Sequence, residues 1–420
     1  MEMAAFTGGS PPMLRLLSGE AARRFGGRAA VDSGSLVLSF AELDRLSDGV
    51  AAGLAHRGVR MGDLVVLALP DGPEFPICYL AAAKVGAVTA GLRPDRPVPP
   101  ARLDPALVVT GPGTAPPGLE VVTLPLGDRP PGRRPYDPRR LGSLYRSEPP
   151  PPPLPPDPRR PVAVVFTRGA ARGADGEASP RGAVFSAGRL EAVRAHGAGL
   201  RWGTGEARLL SRPLGHLTFM TRLPVFLQTG RTALVLPRWE PEAVLRILTE
   251  QRLGVLQGTP EQLAELLSHG GGAGGERVRL PYLRMVLSSG GAPAAELVRA
   301  LRERFGVPVC NRYLCTEAGL GLGTRPEDPP QDAEHTVGRP RGGVSVALRD
   351  PSGRALPPGE IGEVLLRSEA VTDGYYRDAR ASARLFTRDG FVRTGDMGYL
   401  DHVGRLSLVG RAAVGAQSRA

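Results

Sequence analysis

Lysine, cysteine and aromatic residues are all scarce in this 420-residue chain, and each shortage removes a class of protein. The three cysteines, Cys78, Cys310 and Cys315, form no CxxC pair and no even-numbered set. That excludes a disulfide-stapled secreted scaffold, and a reducing, cytoplasmic setting is expected. Glu2 comes early and no cationic-then-apolar pattern follows it, so no signal peptide is expected. The longest apolar run, "ICYLAAAKVGAVTAG", is interrupted by Lys84 and too short for a bilayer, so no membrane span is expected either. A net charge of +11 raises nucleic acid as a partner, but Lys84 is the sole lysine and the arginines are scattered rather than striped. The basic runs also lack the interleaved rings on which bases stack, so no nucleic acid partner is expected.

What remains is long enough to bury a large core in about two or three domains or subdomains. "LSFAELDRLSDGVAAGLAHRGV" has helical apolar spacing, with Ser39 as N-cap and Gly58 as the stop. "GDLVVLAL" reads as a buried strand, "PEFPICYLAAAKVGA" as a helix and "VTAGL" as a short strand, the alternation of an α/β layer with parallel strands. Two more strands are expected in "PPARLDPALVVTGPGTAPPGLEVVTL", and "EPPPPPLPPDPRRP" reads as a stiff polyproline connector. Further on, "EPEAVLRILTEQRL", "PEQLAELLSHG" and "PAAELVRALRERFG" read as helices, the last with Pro293 in its first turn, and "GVLQGTP" and "LRMVLSSGG" as strands. The expected organisation is a tail over 1–20, α/β subdomains over 21–335 with a Pro-rich connector at 146–161, a β-rich barrel subdomain over 336–411 and a tail over 412–420.

Four stretches carry chemistry. "FTRGAARGADGEASPRGAVFS" is a glycine-rich loop after a strand, a form that presents backbone N–H groups to phosphates, although a surface loop reads the same residues as well. "SSGGAP", Ser288–Pro293, is a strand-to-helix turn whose small residues admit a flat ligand. "NRYLCTEAG", Asn311–Gly319, sets an aromatic face, a hydroxyl and a carboxylate close together, which suits a nucleotide and its magnesium; an ordinary helix start capped by Thr316 is the alternative. The last is "DGYYRDARASARLFTRDGFVRTGDMGYLDHVGRLSLVGR", where an Asp after Thr-Gly suits ribose hydroxyls.

In this order and with these gaps, the stretches resemble the adenylate-forming superfamily of acyl-CoA synthetases, luciferases and adenylation domains, from about Leu36 to Arg411. The resemblance implies a large α/β N-terminal domain with parallel-type sheets plus a small β-barrel, and it implies roles. Gly291, Ala292 and Pro293 line the adenine, Asn311 lies at its amino edge and Tyr313 stacks on the ring. Thr316 binds the α-phosphate, Glu317 holds Mg2+, and Asp396 holds the ribose with Arg411 beside it. Thr167 and Gly169 are what survives of the phosphate loop, and Arg181 stands at its lysine position. His216, in "SRPLGHLTF", matches a histidine at the wall of the carboxylate pocket, or is a half-buried core histidine.

The implied chemistry is ATP-dependent activation of a carboxylic acid to an acyl-adenylate, followed by transfer to a thiol, coenzyme A or a carrier protein. Amino-acid-activating relatives place an Asp just after the histidine; here "HLTFMTRL" has no acid, so an acid without an α-amine is expected. The chain departs from the family pattern at Arg168, Ala170 and Ala171, which replace loop hydroxyls, at Leu314, and at Ala413, where the hinge into a C-terminal lid is expected. Two readings stay open: a ligase, impaired or needing a separate C-terminal lid, and a non-catalytic relative that binds nucleotide, acyl ligand or a partner.

Overall fold

A computed structural model of the chain describes residues 13–92, 103–113, 118–128, 132–167, 180–199, 201–269 and 280–411. These fall into two compact units. The first takes its described residues from Met1–Val165, Val184–Gly205 and Pro213–Thr232, the second from Phe166–Ala183, Glu206–Arg212 and Ala233–Ala420.

In the first unit the strands Pro161–Phe166, Val88–Gly91, Leu64–Ala68, Leu107–Thr110 and Val121–Thr123 lie side by side in that order, all parallel. Leu64–Val66, Val88, Ala90 and Leu107–Val109 are buried, as strands covered on both faces require. The helix Phe40–His56 starts with a capping box: Ser39 Oγ accepts the Glu42 N–H while the Glu42 carboxylate accepts the Ser39 N–H. It packs on the helix Glu74–Val85, which ends at Gly86 in the left-handed conformation. Lys84 is buried on that helix, its Nζ 2.8 Å from both Asp44 Oδ1 and Asp48 Oδ1 of the neighbouring helix. The sole lysine thus ties two helices together. A segment expected in part to be tail belongs to this core: Met13–Phe25 is a helix that buries Leu14, Ser18 and Ala21. The Pro-rich stretch carries no helix or strand before Pro161; Pro151 accepts a hydrogen bond from Arg15, and Leu154 packs where Gly86 has no side chain.

In the second unit Val255–Gly258, Met285–Ser289 and Val309–Cys315 form a parallel ladder, extended antiparallel by Gly319–Gly323 and Arg339–Pro340. The helices Pro241–Glu250, Pro260–Ser268 and Ala295–Phe305 contribute Val244, Leu263, Leu266, Val298 and Leu301 to the core beside Leu256 and Val286 of the strands. The last of these helices begins at Ala295, two residues later than expected, so Pro293 stays in the turn before it. The C-terminal module is a correction. Ser345–Arg349, Gly362–Arg367, Val392–Leu400 and Leu406–Arg411 form an antiparallel meander whose first and last strands do not pair, so among the described residues it is an open sheet and no closed barrel. Its inner face, with Leu348, Val364, Leu366, Val392 and Leu406, packs with Tyr313, Cys315 and Leu322 of the neighbouring sheet. Sealing one face against an existing sheet removes the need to close on itself.

Candidate active site

The strand pair Val392–Leu400 and Leu406–Arg411 sets Asp396 directly across from Arg411. Arg411 Nε lies 2.9 Å from Asp396 Oδ1, and the Tyr313 hydroxyl donates to Oδ2 at 2.5 Å. Thr394 holds the loop of this carboxylate by donating to the Val364 carbonyl and accepting the Asp396 N–H. Tyr313, 83 positions away in the chain, and Arg411 thus meet at one carboxylate that is 9% exposed. Burial, reinforced by the charges of Cys315 and Asp396, drives the Tyr313 phenol well above its usual range, so it remains a donor.

Thr316 and Glu317 are not at a helix start. Thr316–Ala318 make the tight turn between Val309–Cys315 and Gly319–Gly323, closed by the Cys315–Gly319 pair and by Gly319 at a φ of +70°. The Glu317 carbonyl accepts the Thr372 N–H at 2.8 Å, and its carboxylate Oε1 accepts the Tyr375 hydroxyl at 2.7 Å. The guanidinium of Arg181 lies over the Tyr375 ring, 5.5 Å from its centroid, and 3.6 Å from Asp378. Arg181 is in turn fixed to Thr167: its N–H donates to Thr167 Oγ1 at 3.0 Å and its carbonyl accepts the Thr167 N–H. Thr167, Arg181 and Glu317 therefore share one neighbourhood, joined through Tyr375. Gly169, Arg168, Ala170, Ala171 and Ala413 lie outside the described residues. Tyr375, which joins these groups, was passed over by sequence reasoning; its signal was its place in the "DGYY" of a stretch already singled out.

Asn311 is 2% exposed, beside Tyr313 on the same face of its strand. Its Nδ2 donates to the Ala333 and Thr336 carbonyls at 2.7 and 2.8 Å, which fixes the amide orientation and leaves Oδ1 buried without a partner. Leu314 sits at a register irregularity next to Tyr313. The Ser288–Pro293 turn closes the carboxyl end of Met285–Ser289, the edge at which parallel sheets bind ligands. Gly290 there has a φ of +93°, and a Cβ on it would stand 2.1 Å from an Arg212 guanidinium nitrogen. The positive φ favours glycine at that position, and Arg212 would have to move for any larger residue. The 6% exposure of Tyr313, its ring packed among apolar side chains, leaves little ring surface for stacking.

His216 belongs to the first unit. Gly215 lies against Gly91, where a Cβ would meet the Gly215 Cα at 2.7 Å, so His216 follows the carboxyl end of the strand Val88–Gly91. Its Nδ1 caps the short helix Leu217–Met220 by accepting the Thr218 N–H at 3.3 Å and lies 3.0 Å from Thr218 Oγ1. Asp71 holds the same segment by accepting the Leu214 N–H. Cys78, Cys310 and Cys315 are buried and free. Burial pushes all three thiols up, and Glu317 adds to this at Cys315. Among the described residues no group of three or more His, Cys, Asp or Glu side chains forms a metal cage, and no helix is long and apolar enough to cross a membrane.

Parallel α/β layers with an antiparallel module match the N-terminal domain of adenylate-forming enzymes. The chain belongs to the AMP-binding enzyme family, whose model matches residues 19–376. It is 28% identical over 398 residues to a feruloyl-CoA synthase from Amycolatopsis sp, a match covering 91% of this chain and 75% of that one. The solved amide bond synthetase McbA from Marinactinospora thermotolerans matches with a TM-score of 0.76 at 26% identity, over 95% of this chain and 79% of that one. ATP-bound MatB from Rhodopseudomonas palustris matches with a TM-score of 0.80 over 96% and 79%, at 22% identity, a likeness of fold.

Proposed function

We propose that the chain activates a carboxylic acid without an α-amine: the carboxylate attacks the α-phosphate of ATP, the bond to the β-phosphate oxygen breaks, and acyl-adenylate and pyrophosphate form. Coenzyme A is the proposed acceptor, in keeping with the CoA-ligase names of relatives such as the feruloyl-CoA synthase. The single observation that carries the reading is the pair of buried acceptors, Asn311 Oδ1 without a partner and the Asp396 carboxylate held by Tyr313 and Arg411. An unpaired buried carbonyl suits the amino group of a purine, and a carboxylate with lone pairs left after two donors suits a ribose diol.

In this reading the Gly291–Pro293 turn lines the base, and Tyr313 serves chiefly to aim Asp396, given how little of its ring is open. Thr316 and Arg181 bind phosphate oxygens, Arg181 by a planar fork in place of a lysine's point charge. Glu317 would hold Mg2+, and its carboxylate fits that ion, which is usually bound by one or two carboxylates and the phosphates themselves; when bound, the ion neutralises charge that builds on those oxygens. Thr167 has its hydroxyl already engaged by the Arg181 N–H, so it orders the loop base. His216 would stand at the wall of the acid's pocket, and the segment after it, "LTFMTRL", offers no acidic partner for an amine. Thioester formation would draw on a lid domain of the family's kind, in cis or in trans, and the setting is cytoplasmic.

The test is pyrophosphate release from ATP across a panel of aliphatic, aromatic and amino acids, beside calorimetry with ATP and Mg2+. Release with plain acids exceeding that with amino acids is expected, as is ATP binding that Asp396→Ala abolishes. Binding without release from any acid would favour the non-catalytic reading. Absence of binding at about 1 mM ATP, the upper end of ordinary substrate affinity, would remove the nucleotide site altogether.

A further inference from the structure

We infer that Tyr375 is a positioning residue of the proposed activation step: its hydroxyl fixes the Glu317 carboxylate for a divalent cation while its ring seats the Arg181 guanidinium for phosphate. The inference rests on the reading above and extends it to a residue that had been given no role.

The geometry is specific. The Tyr375 hydroxyl donates to Glu317 Oε1 at 2.7 Å, whereas Oε2 takes no hydrogen bond or ion pair among the described residues. One oxygen is thereby held and the other left for a hard cation, the arrangement a singly coordinating carboxylate needs.

Arg181 lies over the other side of the arrangement, 5.5 Å from the ring centroid, with Asp378 3.6 Å from its Nε. An aromatic face holds a guanidinium by charge–quadrupole attraction without consuming its N–H donors, which stay available for phosphate oxygens.

Tyr375 itself is locked by its backbone. Its N–H donates to Ser382 Oγ at 2.8 Å, the Ser382 hydroxyl donates to the Asp378 carbonyl at 2.7 Å, and the Tyr376 N–H donates to the Gly182 carbonyl at 2.7 Å. Gly374, at a φ of +133°, has no Cβ where one would stand 2.9 Å from Ser382 Oγ. A ring fixed this firmly, between a carboxylate and a cation of opposite charge, sets their separation. An interface that needed only apolar filling would be served by phenylalanine.

The experiment compares Tyr375→Phe and Tyr375→Leu with the wild-type full chain, with the melting temperature of each recorded. Two readouts are used: Mn2+ binding followed by electron paramagnetic resonance with a non-hydrolysable ATP analogue, and Mg2+ titration of pyrophosphate release. Tyr375→Phe keeps the ring and loses the hydroxyl. It should weaken metal binding about 10-fold, the lower end of what loss of a metal ligand's hydrogen-bond partner costs, and leave the analogue's affinity at saturating metal unchanged. Tyr375→Leu loses both and should also weaken the analogue several-fold. A purely structural tyrosine would lower the melting temperature with no shift in the metal midpoint. A midpoint within twofold of wild type in Tyr375→Phe overturns the inference while leaving the proposed function standing. Failure of the wild type to bind the analogue and Mn2+ at all removes both. Because the resonance measurement needs no turnover, a chain that binds but does not react still decides the role of Tyr375.

Discussion

The Tyr313–Asp396 bond is the point at which stability and ligand binding can be read together. Tyr313 is 6% exposed and Asp396 9%, so water cannot replace either partner when the other is removed. A hydrogen bond to a charged acceptor contributes about 1.5–3 kcal/mol net, and a stranded buried hydroxyl costs about 1–3 kcal/mol. Arg411, with its side chain 56% exposed, returns to solvent and adds at most about 1 kcal/mol. Asp396→Ala should therefore destabilise the second unit by about 2–4 kcal/mol, and Tyr313→Phe by about 1–3 kcal/mol. The double variant should cost less than the sum by about 1.5–3 kcal/mol, the coupling between two groups in direct contact. Urea unfolding of the four proteins gives the cycle, and calorimetry with ATP gives the companion result: Tyr313→Phe weakens nucleotide binding through loss of aim, Asp396→Ala eliminates it. A coupling below about 0.5 kcal/mol would refute the argument, because independent sites normally add to within that margin.

Asn311→Ala removes two donors from the buried Ala333 carbonyl and the half-buried Thr336 carbonyl, and unfolding by urea should show a loss of about 1–3 kcal/mol; retention of wild-type stability would mean that water reaches those carbonyls. Stability should also fall in alkali: the buried Cys78 and Cys315 thiols are raised by desolvation, so they stay protonated when folded but ionise when unfolded above about pH 8.5. The contribution is complete below that pH and declines by about 1.4 kcal/mol per pH unit per thiol above it, up to the folded pKa; thermal melts between pH 7 and 10 that show no decline would contradict the burial of both.

The parallel strands and their helices were legible because they rest on local patterns. Runs such as "LVVLA" and "VTAG" read as buried strands from their own residues, and Ser39 with Glu42 spells out its capping box within four positions. The nucleotide-type stretches were legible as motifs, and Asp396 and Arg411 were expected to be neighbours, as their register pairing makes them. Two things were less accessible. The C-terminal module reads as a barrel from strand count and turn spacing, yet it stays open because its apolar face is covered by Tyr313, Cys315 and Leu322 from a different sheet. The Thr316–Ala318 segment reads equally as a helix start, and the partner strand Gly319–Gly323 decides for a hairpin.

The sequence by itself determined the elements, the order of the motifs and the chemical identity of each candidate group, because periodicity, caps and turns act over a few residues. Only the tertiary structure decided which groups touch. That Glu317 is held by Tyr375, 58 residues away, and Asp396 by Tyr313, 83 residues away, follows from how the sheets stack, and contacts of that range leave no local signature in the chain.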